Sequence, residues 1–300
     1  MSDAHGARSS STLTITVRGL NDAPIANSDN PGATTQNSAL APIFILANDE
    51  DVDRNDAIHI ADIDTRATRG TVVTLGDGMV AYDPGQAFRH LAEGETTTDT
   101  FRYRIADQHG ALSASYATVT ITILGLNDAP VAHPDAANVN ENATIRLDVL
   151  ANDIDIDDGD TPATFTLESV KIDAIEGLTD GMPEFSAGVT IVGNQVRFNP
   201  GTQFRPLGVG ETATVTISYT MADKAGATSS STLTLTVHGL NDVPYAETDQ
   251  FETDENTPLR IDTSILLANH FDPDSNDTSR FASYEASATK GIVTGNGDGS

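Results

Sequence analysis

Carboxylates recur along this chain in pairs two residues apart. Asp51/Asp53, Asp155/Asp157 and Asp272/Asp274 each follow a Leu-Ala-Asn triplet that begins at Leu46, Leu150 and Leu267. Others keep the same register: Gly94-Glu95 matches Gly210-Glu211, and Ala106-Asp107 matches Ala222-Asp223. An Asn-Asp pair recurs at Asn21-Asp22, Asn127-Asp128 and Asn241-Asp242. Hard oxygen donors in such density suit Ca2+, which takes about six to eight of them. An Asp-x-Asp pair on extended chain cannot fill that shell alone. A site must therefore gather it with Glu95 or Glu211, with Asp107 or Asp223, and with an Asn-Asp pair. Asn, Asp and Gly are also ordinary turn residues, so turn chemistry alone is the competing reading. Position-specific repetition of charge favours the cation, because Asp155, Asp157, Asp158 and Asp160 repel one another unless a cation or water relieves them.

Other chemistries fit poorly. Asp153, Asp155 and Asp157 resemble the start of an EF-hand loop, but its twelfth position is Thr164 instead of Glu. Gly295-Asn296-Gly297-Asp298-Gly299 is a solitary hairpin-type turn and not a glycine-rich calcium-roll repeat. There is no Gly-x-Ser-x-Gly elbow, no His-Glu-x-x-His helix and no phosphate-binding glycine loop. The histidines are dispersed, and a pair of acids repeated in every module suits scaffolding better than glycoside hydrolysis. No enzyme activity is expected. With 44 acidic against 16 basic residues, a net charge of −28 repels nucleic acid and anionic membrane surfaces and attracts divalent cations. Zero cysteine removes disulfides and thiolate chemistry, which makes bound metal the obvious candidate staple, although a hundred-residue sandwich can also stand on its core alone. No stretch approaches the roughly 18 apolar residues that would span a bilayer, so direct membrane insertion is not expected.

The elements that must position these carboxylates read as β-strands. Thr12–Val17, Thr118–Ile123 and Thr232–Val237 alternate polar and apolar with period two, as do Phe101–Ile105 and Ile217–Met221. Short strands are expected over Thr71–Thr74, Met79–Tyr82, Val189–Val192 and Val196–Phe198. Roughly seven strands per hundred residues predict an all-β fold of tandem antiparallel Greek-key sandwiches. The string Gly-Leu-Asn-Asp-Ala-Pro at Gly19 and Gly125 returns as Gly-Leu-Asn-Asp-Val-Pro at Gly239, and its spacings of 125 − 19 = 106 and 239 − 125 = 114 residues are each one small domain. The expected organisation is a partial repeat over 1–18, complete repeats over 19–124 and 125–238, and the opening of another over 239–300. The array is expected to be cut mid-domain at both ends and poorly ordered there. The second repeat carries eight extra residues, 114 − 106, read as a loop or hairpin insertion near 158–188.

Taken together, Asn-Asp-Ala-Pro, Leu-Ala-Asn-Asp with Asp-x-Asp, Gly-Glu and Ala-Asp-x-x-Gly resemble the bacterial cadherin-like and VCBS-type repeats of large surface adhesins, over essentially the whole chain. The resemblance implies calcium at domain junctions. It assigns Glu95, Asp107, Asn127 and Asp128 to one junction with Asp155 and Asp157 of the next repeat. It assigns Glu141, Glu211, Asp223, Asn241 and Asp242 to the following junction with Asp272 and Asp274, and Asp3, Asn21 and Asp22 to the preceding one with Asp51 and Asp53. Gln36 stands where Glu141 and Glu255 occur, and His270 stands where Asp49 and Asp153 occur. Leu20, Leu126 and Leu240 replace an acidic residue that cadherin linkers carry, which implies fewer or weaker ions per junction.

The function expected on this basis is a calcium-rigidified extender or adhesive array on a bacterial cell surface or in the extracellular space, serving cell adhesion and biofilm. Its partners would be neighbouring repeats of the same chain, with cell-surface glycans or like repeats as further candidates. The alternatives are a carbohydrate- or self-binding module, acting through the 158–188 insertion, or a non-catalytic spacer in a large exported enzyme. The scarcity of aromatic residues, 5% with no Trp, speaks against a stacking sugar site.

Overall fold

A computed structural model of the chain describes residues 1–178, 186–287 and 289–295. Residues 179–185 of the insertion, and Asn296 to Gly299 of the glycine-rich turn, lie outside them. The chain forms two compact units, Met1–Asn127 and Asp128–Ser300.

In the first unit, β1 (Asp29–Thr35), β7 (Ala117–Leu124), β6 (Thr96–Ala106) and β3 (His59–Asp64) form one sheet in that order. β2 (Leu40–Phe44), β5 (Met79–Asp83) and β4 (Thr71–Gly76) form the other. Alternation dictates which side chains meet between them. From β6 and β7 come Phe101, Tyr103, Ile105, Val119, Ile121 and Ile123, and they pack against Ile43, Val80 and Tyr82 of the facing sheet. The second unit repeats the plan. β10 (Thr166–Glu176), β13 (Thr212–Ala222), β14 (Thr228–His238) and β8 (Asp135–Asn140) face β11 (Gly188–Ile191), β12 (Val196–Asn199) and β9 (Ile145–Leu147). Val215, Ile217, Tyr219, Leu233, Leu235 and Val237 are central to its core.

The expected strands at Thr71, Met79, Thr118, Val189, Val196 and Thr232 are all present. The sheets are not wholly antiparallel: β1 pairs parallel with β7, and β8 pairs parallel with β14. First and last strands both run from the pole where the preceding linker joins, the near pole, to the far pole where the next linker leaves. Two strands that run the same way can pair only in parallel.

One expected strand is absent. Thr12–Val17 is not a strand, and Leu13, Ile15 and Val17 are exposed. Its counterpart β7 is held by β1 and β6, and residues 1–18 contain no equivalent of either. The segment from Gly239 carries no strand among its described residues, only a bridge from Tyr245 to Phe271 and a single helical turn α1 (Thr263–Leu266). Strand occupies part of the insertion. β10 has 11 residues where β3 has 6, and it pairs with β13 from Thr166 opposite Ala222 to Glu176 opposite Thr214.

The glycines that open the second and third linkers have a steric reason. A methyl at Gly125 would overlap the carbonyl oxygens of Ala92 and Leu91, and one at Gly239 would overlap those of Leu207 and Gly208. The departing chain thus passes directly against the turn that precedes β6 or β13.

Candidate metal centre

In the first unit the linker residues Asn21 and Asp22 reach the near pole beside the loop that follows Leu46-Ala47-Asn48. Asp22 donates its N–H to Asp53 Oδ2 at 2.7 Å, and Asp53 donates its own to Asp51 Oδ1 at 2.8 Å. β6 delivers Asp107 to the same place. Asp107 is fully buried; its Oδ2 accepts from Asn21 Nδ2 at 2.7 Å and its Oδ1 from the N–H groups of His109 and Ala111, both at 2.8 Å. One carboxylate oxygen each from Asp51, Asp56 and Asp107 lies within 4.8 Å of the others. Asp51 Oδ2 and Asp56 Oδ2 are buried without a hydrogen-bond partner. Burial pushes the Asp107 carboxyl up, but the hydrogen bonds from Asn21, Ala111, His109 and Gly110 outweigh it and hold the group below the usual carboxylate range.

The second unit builds the same pole. Asp128 donates its N–H to Asp157 Oδ2 at 2.8 Å, and Asp157 donates to Asp155 Oδ1 at 2.9 Å. Asp155 Oδ2 and Asp157 Oδ1 are buried without partners. Desolvation, together with the charges of Asp155, Asp128 and Asp160, pushes Asp157 up to about 6. Asp155 is raised by desolvation and by the neighbouring Asp160 and Asp223, which sets Asp223 at this pole too. The Asp223 carboxylate also accepts from Gly226 and Ala227 at 2.6 and 2.9 Å.

Within the second unit, the far pole of the repeat meets the next linker. Glu141 Oε1 accepts from Leu240 N–H at 2.9 Å, and Asp242 donates its N–H to Asp274 Oδ2 at 3.0 Å. Asp274 donates its N–H to Asp272 Oδ1 at 3.0 Å, and Asn241 Nδ2 closes onto Asp242 O at 2.8 Å. Glu211 Oε2 accepts from Gly208 N–H at 3.0 Å and from Ser275 Oγ at 3.2 Å. Glu141 Oε2 and Asp274 Oδ1 are buried and unpartnered. Desolvation raises both groups, with the charges of Asp242 and Asp274 adding at Glu141 and those of Asp272, Asp242 and Asp277 at Asp274.

The grouping therefore differs from the one the resemblance implied. Asp107 joins Asn21, Asp51 and Asp56 at the near pole of its own repeat, and Asp223 joins Asp155. Neither shares a pole with Glu95 or Glu211. The reason is the length of one strand: β6 and β13 separate each Glu from its Asp by 11 residues, which at about 3.3 Å per residue puts them roughly 40 Å apart. Glu95 closes its own turn by accepting from Ala92 N–H at 3.1 Å. Asp3 is exposed and closes its own turn through the N–H groups of His5 and Ala7 at 3.0 and 2.8 Å. Asn127 is the last residue of the first unit. Gln36 serves as the neutral counterpart of Glu141 by donating from Nε2 to Leu126 O at 3.0 Å.

One ligand candidate was missed. Asp56 carries a signal that could have found it, since Asp56, Asp160 and Asp277 each stand five residues after the first Asp of an Asp-x-Asp pair. Behind the loop, Tyr103 Oη lies 2.8 Å from Ile45 O, 2.9 Å from Asn27 O and Asp29 Oδ2, and 3.0 Å from Asp49 Oδ1. Tyr219 takes the same position against His133 O and Val149 O at 2.7 and 3.2 Å. These phenols fix the loops that carry the carboxylates.

The sequence pattern of the bacterial cadherin-like domain matches residues 21–125 and 127–239, and that of a bacterial Ig domain matches 241–300. The chain belongs to the bacterial cadherin-like family. Among curated proteins no relative matches it in sequence. Solved structures similar to this cadherin-like chain include human protocadherin-24 EC1-2, at 14% identity and TM-score 0.42 over 75% of this chain and 100% of that one. The protocadherin GammaB4 extracellular domain is similar at 18% identity and TM-score 0.41, over 78% of this chain and 36% of that one. Cadherin-like and bacterial Ig domains are adhesion-type repeats that are typically non-catalytic, usually extracellular, and generally, for the cadherin-like ones, bind Ca2+. No helix among the described residues is long and apolar enough to cross a membrane.

Proposed function

We propose that this chain is a calcium-binding, calcium-rigidified extender of a large bacterial surface or secreted adhesin, built from repeats over 19–124 and 125–238 and a further one opening at 239. The observation that carries this reading is the set of buried carboxylate oxygens without a hydrogen-bond donor at each pole described: Asp51 and Asp56, whose Oδ2 lies 3.6 Å from His109 Nε2; Asp155 and Asp157; and Glu141 and Asp274. A buried carboxylate oxygen without a donor is costly unless a proton or a cation meets it. The donors are all hard oxygens, the choice of Ca2+ and not of a softer transition metal. Asp51, Asp53, Asp56 and Asp107 with Asn21 would hold an ion at the first near pole, and Asp155, Asp157, Asp160 and Asp223 at the second. Glu141, Glu211, Asp242, Asp272 and Asp274 would hold one where the second repeat meets the next linker. Bound there, Ca2+ supplies the positive charge these carboxylates lack and ties each linker to the loop beneath it. The result is a stiff spacer that presents a distal adhesive partner for cell adhesion or biofilm.

Two measurements test this. Calcium titration by calorimetry on the chain is expected to give saturable heat and a rise in melting temperature. Small-angle scattering is expected to give a longer, narrower distance distribution in calcium than in chelator. Absence of both heat and any melting shift would return the carboxylates to turn formation.

A further inference from the structure

The joint between the second repeat and the segment after Gly239 lies wholly inside the second unit, and it is held by contacts that involve no metal ion. The turn before β13, residues 204–211, sits on the loop that carries Asp272 and Asp274. Ser275 donates its backbone N–H to Pro206 O at 2.9 Å and its hydroxyl to Glu211 Oε2 at 3.2 Å. Arg205 Nε lies 3.1 Å from Asp242 Oδ2, and its guanidinium stands 5.8 Å from the centre of the Tyr245 ring. Tyr245 stacks in turn on Phe271, with ring centres 4.9 Å apart.

Gly208 lies against the same loop. A methyl on it would meet only the Asn276 side-chain amide, the free end of an exposed side chain that can rotate aside, so the turn and loop are held by the bonds of Ser275 and Arg205 and not by a demand for glycine.

Charge completes the picture. Asp242 gives its carboxylate to a guanidinium, at a pole where Glu141 and Asp274 also crowd. A fixed cation in that position relieves the repulsion that otherwise opens such a pole when metal is removed. We infer that residues 204–211 and 272–277 form a metal-independent clamp, with Arg205 as its resident cation and the Tyr245–Phe271 stack beside it, so that this joint stays closed when calcium is withdrawn. The inference does not rest on calcium binding elsewhere in the array.

The chain lacks cysteine, so spin labels introduced at Glu168→Cys on exposed β10 and Ser287→Cys in the following segment report the joint directly. The full chain, labelled at both positions, is measured by double electron–electron resonance in calcium and in chelator. The expected result is one narrow distance distribution in both conditions. In chelator, Arg205→Gln and Tyr245→Ala should each broaden it, and the open fraction should rise about fivefold for the loss of the partly exposed ion pair in Arg205→Gln. Broadening of the unsubstituted chain in chelator overturns the clamp. So does a distribution that stays narrow in both variants, because some other contact would then hold the joint. Calorimetric calcium titration of the same labelled chain separates the two readings: a chain that binds no calcium yet keeps a narrow distribution sinks the proposed function and leaves the clamp standing.

Discussion

Asp29 and Asp135 show how a single buried carboxylate sets pH dependence here. Each sits against a buried tyrosine, and desolvation pushes each up to about 6 from an ordinary 3.8. A phenol has one hydrogen, while Tyr103 Oη faces four acceptor groups, so a proton on Asp29 is what completes the set. Because the folded pKa lies above the unfolded one, the folded chain binds the extra proton between about 4 and 6. Stability from these groups is therefore greatest below that window and falls as pH rises through it. Asp107, held below the usual range, acts in the opposite sense and is lost only at lower pH. Urea midpoints in chelator are expected to fall between pH 4.5 and 7, and Asp135→Asn to flatten that slope for the second unit. An unchanged slope would mean that Asp135 does not change its protonation within that window. Tyr103→Phe removes the one hydroxyl hydrogen that the acceptors around Oη share and is expected to cost the first unit about 1–3 kcal/mol in urea unfolding.

At the scale of elements, one strand decides which acids cooperate. β6 spans the sandwich, so Glu95 and Asp107 report opposite poles, whereas Asp51 and Asp107 share one. In double-mutant cycles on the near-pole calcium affinity of the first unit, Asp51→Asn and Asp107→Asn are expected to be strongly non-additive, with each alone costing at least about tenfold. Glu95→Gln and Asp107→Asn should add. Coupling between Glu95 and Asp107 would restore the grouping implied by resemblance. Gly239→Ala tests the packing of the linker against the turn before β13. The obstacle is backbone carbonyl and cannot rotate away, so a loss of about 1–3 kcal/mol from the second unit is expected in thermal or urea unfolding.

For the whole molecule the governing quantity is the net charge of −28. Self-repulsion of that size is screened by ordinary salt within a Debye length of about 10 Å at 0.1 M. Raising NaCl in chelator should therefore raise the melting temperature gradually. Millimolar CaCl2 at matched ionic strength should raise it further, because bound ions meet the unpartnered oxygens that screening cannot reach. Equal effects of the two salts, judged by differential scanning calorimetry, would reduce the role of calcium to screening.

Sequence alone determined the β character, the two full repeats, the direction of the charge and the presence of oxygen-rich loops. All of these follow from local alternation and from composition, which are readable along the chain. It also held the recurring Asp56, Asp160 and Asp277, whereas alternation is legible only over Phe101–Ile105, so the full length of β6 that separates Glu95 from Asp107 came from the structure. What only the tertiary structure decided is proximity across segments. Asn21 meets Asp107 from 86 residues away, β1 pairs parallel with β7, the extra residues of the second repeat lengthen β10, and Gly208 faces Asn276. Such meetings depend on how the sheets fold over a shared core, and a pattern of period two records which side of a strand is buried but not what it is buried against.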